Sequence, residues 1–299
     1  MLEIIAAIVV LAAVILMWVC LYDTHRFVIT RKRFCSPKIQ REQRFVMLSD
    51  LHGKQYGRDN AVLLGAIHDL KPDGILIVGD MLTAGRRTKI EPVISLLRKL
   101  CEKYPVYYAN GNHEHKMLLH AEDYGEVPEK YFSALQETGA MQLVNQWALP
   151  EDCGIRIYGA QIDRRFFRRG KVTAMDEGYM DKLLGGADPD TYNILLAHNP
   201  DYFPAYARWG ADLVLAGHVH GGIMRLPFLG GVISPALKLF PKYDGGQFEE
   251  EGSVMVLGRG LGTHAPDVRF FNPGELVVLD LCPQDVPGKD DMQGMGNQK

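Results

Sequence analysis

The sequence predicts an α/β layered domain over residues 43–282, preceded by one N-terminal transmembrane helix. Three observations predict it: short apolar runs of strand length, longer amphipathic stretches between them, and an uncharged run at the N-terminus. From Ile4 to Tyr22 no residue is charged; at 1.5 Å per residue this run is about 29 Å long, close to the hydrocarbon thickness of a bilayer. A cleaved signal peptide would want a basic start and small residues before the cut, and neither is present. Residues 1–22 are therefore expected to be an uncleaved single-span anchor. The flank before it has no Lys or Arg, whereas Arg26, Arg31, Lys32, Arg33 and Lys38 follow it, so the positive-inside rule places the body in the cytoplasm.

Residues 23–42 read as a basic linker. The strand-like runs then follow: Phe45–Ser49, Ile75–Gly79, Val106–Ala109, Ile194–Ala197 and Leu213–Ala216, with Val254–Leu257 and Leu276–Leu281 later. Helices are expected near 60–69 and 90–103, the second with Pro92 in its first turn. The polar tail 283–299, rich in Gly, Asp and Gln, reads as disordered. A net charge of −3 gives no basic field of the kind that nucleic-acid binders carry, so no nucleic-acid partner is expected. Five scattered cysteines without a CxxC pair suggest neither a disulfide framework nor a zinc finger.

Each of the first five runs is followed at once by residues able to ligate a metal. They are Asp50 and His52, Asp80, Asn112 with His113, His198, and His218 with His220. Residues at the carboxyl ends of neighbouring strands converge on one crevice. One such residue after one strand is an ordinary cap; the conjunction of five strand ends points to two ions. Carboxylate, imidazole and amide ligands without a thiolate suit divalent manganese, iron or zinc. Two such ions sharing a carboxylate can deprotonate a water between them for attack on phosphorus.

The blocks DLHG (50–53), GDM (79–81), GNHE (111–114), AH (197–198) and GHVHGG (217–222) resemble the calcineurin-like metallophosphoesterases. GLGTHAPDVRFFNP (260–273) is similar to their membrane-anchored bacterial branch. The resemblance implies a two-sheet sandwich flanked by helices with a dinuclear site at one edge. It implies Asp50, His52 and His220 on one ion, Asn112, His198 and His218 on the other, and Asp80 bridging both. His113 would protonate the leaving oxygen or donate to the phosphoryl group. Many relatives continue the second block as GDxxDR; here Thr83 and Ala84 stand at those last two positions, so the partner of His113 and the phosphate clamp must lie elsewhere, with Arg86 and Arg87 nearby.

Two segments bear on substrate. The apolar stretch 223–243 is either an ordinary packed loop or a rim that meets the bilayer or an acyl chain. DRRFFRRGK (163–171) is either a solvated surface or a flap gripping an anionic group. His264 is read as a plain loop residue. The expected function is a membrane-anchored phosphohydrolase acting on a phosphodiester or pyrophosphate, with a lipid-linked substrate such as UDP-2,3-diacylglucosamine as one candidate. The rival readings are a phosphomonoesterase and a non-catalytic interaction module on the same fold.

Overall fold

Strand-length apolar runs alternating with amphipathic helices must bury both sheet faces, and the computed structural model shows how they do so. It describes residues 1–168, 173–222, 224–226, 230–233, 241–263 and 268–284. Helix α1 (Leu2–Thr24) leads into β1 (Phe27–Ser36) and β2 (Gln43–Leu48). The first half continues with α2 (Ala61–Leu70), β3 (Gly74–Ile77), α3 (Glu91–Cys101), β4 (Val106–Tyr108), α4 (Asn112–Leu119), α5 (Val127–Glu137) and β5 (Met141–Gln142). The second half holds β6 (Gln146–Ala148), β7 (Ile155–Ala160), α6 (Tyr179–Leu184), β8 (Tyr192–Ala197), α7 (Phe203–Trp209) and β9 (Leu213–Ala216). It ends with β10 (Met224–Leu226), β11 (Gly230–Ile233), β12 (Gly246–Glu250), β13 (Ser253–Leu257) and β14 (Gly274–Pro283).

The strands form two six-stranded sheets, ordered β1-β14-β2-β3-β4-β5 and β12-β13-β9-β8-β7-β6, beside a β10-β11 hairpin. Alternation along each strand divides the core into three layers. Phe45, Met47, Leu76 and Val78 face Ile157, Ile194, Leu196 and Leu215 between the sheets. Val46, Leu48, Ile75 and Ile77 turn outward onto Leu63 and Ile67 of α2 and Val93 and Leu97 of α3. On the far side Leu195, Val214 and Ala216 pack on Phe203 and Tyr206 of α7. The two-sheet sandwich flanked by helices is thus the observed fold. Within it β2, β3 and β4 run parallel in one sheet and β8 and β9 parallel in the other. Their carboxyl ends carry the site.

Three expectations need correction. Residues 27–36, read as linker, are an edge strand paired in parallel with β14 over ten positions, Phe27↔Gly274 to Ser36↔Pro283. Its exposure alternates along the chain, and Arg31 and Arg33 take the exposed positions, so charge hides a period-2 strand; charged side chains are a common way to protect a sheet edge. That register sets Cys35 opposite Cys282, and the two form a disulfide, whereas Cys20, Cys101 and Cys153 are free. The pairing was invisible at a separation of 247 residues because only β1 and β14 bring the thiols together. Finally, Pro283, placed in the tail, closes β14; residues 285–299 lie outside the described ones.

Candidate metal centre

Ligand atoms converge at the strand ends in two groups. Asp50, His52 and His220 offer atoms all within 4.8 Å of one another, and so do Asp80, His198 and His218. Two ligand atoms on one ion, each about 2.0–2.1 Å from it, lie about 2.9–3.4 Å apart. The observed spacings match: His52 Nε2 to His220 Nε2 is 3.2 Å, His220 Nε2 to Asp50 Oδ1 3.4 Å, and His198 Nε2 to Asp80 Oδ2 3.0 Å. His198 Nε2 also lies 3.7 Å from Asp50 Oδ1, which joins the groups. Asp50 Oδ2, Asp80 Oδ2, Asn112 Oδ1 and His198 Nε2 are buried without a hydrogen bond. Buried polar atoms left unsatisfied on these residues fit cation ligands, because such atoms otherwise carry a desolvation cost of about 1–3 kcal/mol each.

The backbone is bent to make this convergence. Asp50, His52, Asp80, His218 and His220 all have positive φ, between 51° and 73°. For residues with a Cβ this conformation costs about 1–2 kcal/mol each. Bonds between the loops hold it: Asp50 N to Gly79 O (3.0 Å), His52 N to Asp80 O (3.1 Å) and His218 N to Asp50 Oδ1 (2.9 Å). Gly111 and Gly217 are required because a Cβ on either would overlap the carboxylate of Asp80 or Asp50.

The outer bonds orient the imidazoles. His198 Nδ1 lies 2.7 Å from the Val78 carbonyl, which can only accept, so Nδ1 carries a proton and Nε2 is the nitrogen turned toward the carboxylates, where a bound cation would take the place of its second proton. His52 Nδ1 meets Thr83 Oγ1 at 2.9 Å, a hydroxyl that can donate or accept, so this contact holds the ring without choosing its tautomer. The Thr that departs from the GDxxDR pattern thus supports a candidate ligand. The partner of His113 is a backbone group: the Ala84 N–H donates to His113 Nδ1 at 3.0 Å, which leaves the ring hydrogen on Nε2.

Charge in the pocket calls for cations. Burial works to lower His198, yet the Asp80 and Asp50 carboxylates outweigh it and lift this imidazole to about 10. Burial works to raise Asp80, but the imidazoles of His198, His113 and His52 hold it well below the usual carboxylate range. Asp50, farther from His198, is pushed up to about 6 by burial. Two carboxylates share one cationic ring, and the nearer one takes most of the benefit. Burial lowers His113, so its ring is a neutral N–H donor at neutral pH.

Asp50, His52, Asp80, His198, His218 and His220 form the two groups. His113 lies beside them, its backbone N–H bonded to Asp80 Oδ1 at 2.8 Å and its ring centroid 5.2 Å from that of His52, with the buried Asn112 Oδ1 on the residue before it. What sequence reading passed over is Glu114. Its fully buried carboxylate accepts from the backbone N–H of Asp80 (2.9 Å), Met81 (2.8 Å) and Gly111 (3.0 Å) and from the Tyr108 hydroxyl (3.1 Å). It ties the β3 and β4 loops together. Its place three residues after Gly111, at the start of α4, was the available signal. Burial and the Asp80 charge push Glu114 up to about 7 against those four donors. Arg86 donates to the Asp123 carbonyl at 2.7 Å; Arg86 and Arg87 are both exposed and contact no member of the cluster. His264 and most of 223–243 lie outside the described residues, as do 169–172.

Comparison with known proteins agrees with this geometry. The family model described as calcineurin-like phosphoesterase matches residues 43–222. The chain is similar to an uncharacterized metallophosphoesterase of Campylobacter jejuni, 28% identical over 82% of this chain and 60% of that one. It is also similar to the uncharacterized metallophosphoesterase YkuE of Bacillus subtilis, 26% identical over 80% of this chain and 78% of that one. The UDP-2,3-diacylglucosamine pyrophosphatase LpxG of Chlamydia muridarum is 26% identical over 79% of this chain and 82% of that one. The chain thus spans less than two thirds of the Campylobacter relative's length.

Proposed function

This chain belongs to the calcineurin-like phosphoesterase family of metal-dependent hydrolases, and from that premise we propose that it cleaves a phosphodiester or pyrophosphate borne on a membrane lipid. The convergence of two carboxylate–imidazole groups with unsatisfied buried ligand atoms carries the hydrolytic part of this reading. Asp50, His52 and His220 would hold one divalent ion and Asn112, His198 and His218 the second, with Asp80 shared. Manganese, iron and zinc all suit that donor set. When bound, such ions supply Lewis acidity toward the phosphoryl oxygens and a nucleophile at neutral pH. The residues of the chain do the rest. Val78 fixes the His198 tautomer, Thr83 holds the His52 ring, Glu114 sets the distance between the Asp80 and Asn112 loops, and His113 offers its Nε2–H to an oxygen that gains charge. We expect His113→Ala to retain both metals by elemental analysis and to lose about 10²–10⁴ in kcat on a model diester. Unchanged turnover would remove His113 from its role.

The membrane part rests on how α1 meets the body. Its 23 residues extend about 34 Å, enough to cross a bilayer. Its last residue, Thr24, is buried: its carbonyl accepts from Lys54, two residues past His52, and its hydroxyl accepts from the Arg269 N–H at 3.1 Å. Arg269 in turn donates to the Gly260 carbonyl at 3.1 Å and to that of Gly262, whose N–H bonds to the Asp50 carbonyl. Few contacts therefore separate the end of the helix from the cluster, and a substrate in the bilayer would arrive beside it. The LpxG relative, by its name, acts on an acylated sugar nucleotide. With the full chain in vesicles, a lipid-linked pyrophosphate should be turned over at least tenfold more efficiently than a soluble monoester; a preference for the monoester would sink the lipid reading and favour a phosphomonoesterase. We place the body on the cytoplasmic face, by the basic flank after α1. A protease-protection assay checks this, and a body on the oxidising face, where a Cys35–Cys282 bond is readily kept, would reverse the placement.

A further inference from the structure

A short 3-10 turn, Arg164–Phe167, crosses the mouth of the metal centre and is held there at several points. Asp163 caps it, its side chain accepting from the Arg165 N–H at 2.7 Å. The Phe166 ring is buried edge-on against Tyr179 and Tyr202, with ring centroids 5.1 and 4.9 Å away. The Phe166 carbonyl accepts from the Asn199 side chain at 2.9 Å, and Asn199 directly follows His198. So anchored, the turn sends one side chain to each side of the cluster. Arg164 Nη1 donates to the Asn112 carbonyl at 3.1 Å, and Phe167 lies edge-on to His218 with ring centroids 5.4 Å apart. Both are half-buried and open to a ligand.

The charge of Arg164 is not spent within the protein. Its neighbour Arg165 pairs with Asp176 at 3.0 Å, but among the described residues Arg164 meets no carboxylate. One of its five N–H groups is used on Asn112, and among the described residues no other partner takes the rest of the planar fork, whose geometry suits phosphoryl oxygens. A cation placed only to support the Asn112 carbonyl would not need this unpaired fork beside a site that takes anions.

We propose that Arg164 grips a non-bridging phosphoryl oxygen of the substrate while Phe167 walls the apolar or aromatic group next to it. This rests on the hydrolase reading and deepens it: the turn favours a diester or pyrophosphate flanked by an uncharged group over a bare monoester. No arginine of the 83–87 loop performs this task; the 3-10 turn supplies it from the other sheet.

The test uses the full chain in detergent, loaded with manganese, and inorganic phosphate as the probe. Arg164→Ala should weaken phosphate binding by calorimetry about 10- to 100-fold and raise KM for a diester by a similar factor, with both metals retained. Arg164→Lys, which keeps the charge and loses the fork, should recover part of the phosphate affinity. Phe167→Ala should raise KM for an aryl diester and leave phosphate binding unchanged. Full metal with unaltered phosphate affinity in Arg164→Ala overturns the proposal. So does loss of metal in that variant, which would show Arg164 to be a support for Asn112. A wild-type chain that neither loads metal nor hydrolyses the diester would instead remove the hydrolase reading on which the proposal stands.

Discussion

Asp80→Ala should lose at least one of two metal ions and lower kcat/KM on a diester by on the order of 10³-fold or more. Asp80 stands where both halves of the site meet. Its Oδ2 lies 3.0 Å from His198 Nε2 and has no hydrogen bond, while its Oδ1 accepts from the His113 N–H at 2.8 Å. Its charge is also felt at His198, His113 and Glu114. Removing it would subtract the ligand proposed to be shared and the reference point for the His113 loop together. Ion-based stabilisation of this kind contributes several kcal/mol, and about 4 kcal/mol corresponds to 10³ in rate. Elemental analysis and turnover on the same preparation check it. A variant that keeps a full metal load would show that Asp80 bridges nothing. Asp80→Asn is the finer probe, since it keeps the shape and an acceptor oxygen while it removes the charge.

Glu114→Ala should destabilise the fold by about 3–5 kcal/mol and reduce metal retention, although Glu114 is no ligand. The wild-type carboxylate is fully buried under four donors, three of them backbone N–H groups of the loops that carry Asp80 and Asn112. Cutting the side chain removes the acceptor those groups share, and each donor left unsatisfied costs about 1–3 kcal/mol. Denaturant unfolding of the metal-free protein measures the stability change without the linkage of bound ions to folding. Glu114→Gln separates charge from connection. It keeps one acceptor oxygen, so it should fall between wild type and Ala in stability. A Glu114→Ala protein as stable as wild type would mean the two loops hold themselves.

The site was legible because its residue types are rare in combination and each follows a strand-like run directly. Asp50 after Phe45–Ser49 and His198 after Ile194–Ala197 needed no tertiary information to be noticed together. Other parts were not legible for identifiable reasons. Strand β1 was hidden because Arg31, Lys32 and Arg33 break the apolar pattern, and an edge strand tolerates charge on its open side. The run 163–171 reads from sequence as either solvated surface or a flap gripping an anionic group, without telling which arginine matters; only the turn that sets Arg164 beside Asn112 distinguishes it from Arg165, which pairs with Asp176.

The chain's residue order is enough to set the chemical inventory: which strands end in candidate ligands, which donor types are present, and that a long apolar segment precedes them. Those properties are local, fixed by residue identity and short-range periodicity. Tertiary structure alone decided which atoms of that inventory point at one another. The Val78 carbonyl that sets the His198 tautomer, the Thr83 hydroxyl on His52, the Ala84 N–H that claims His113 Nδ1, and the Cys35–Cys282 bond all join residues between 29 and 247 positions apart. Such pairings depend on sheet register and on loops held at positive φ, and neither is encoded in any short window of the chain.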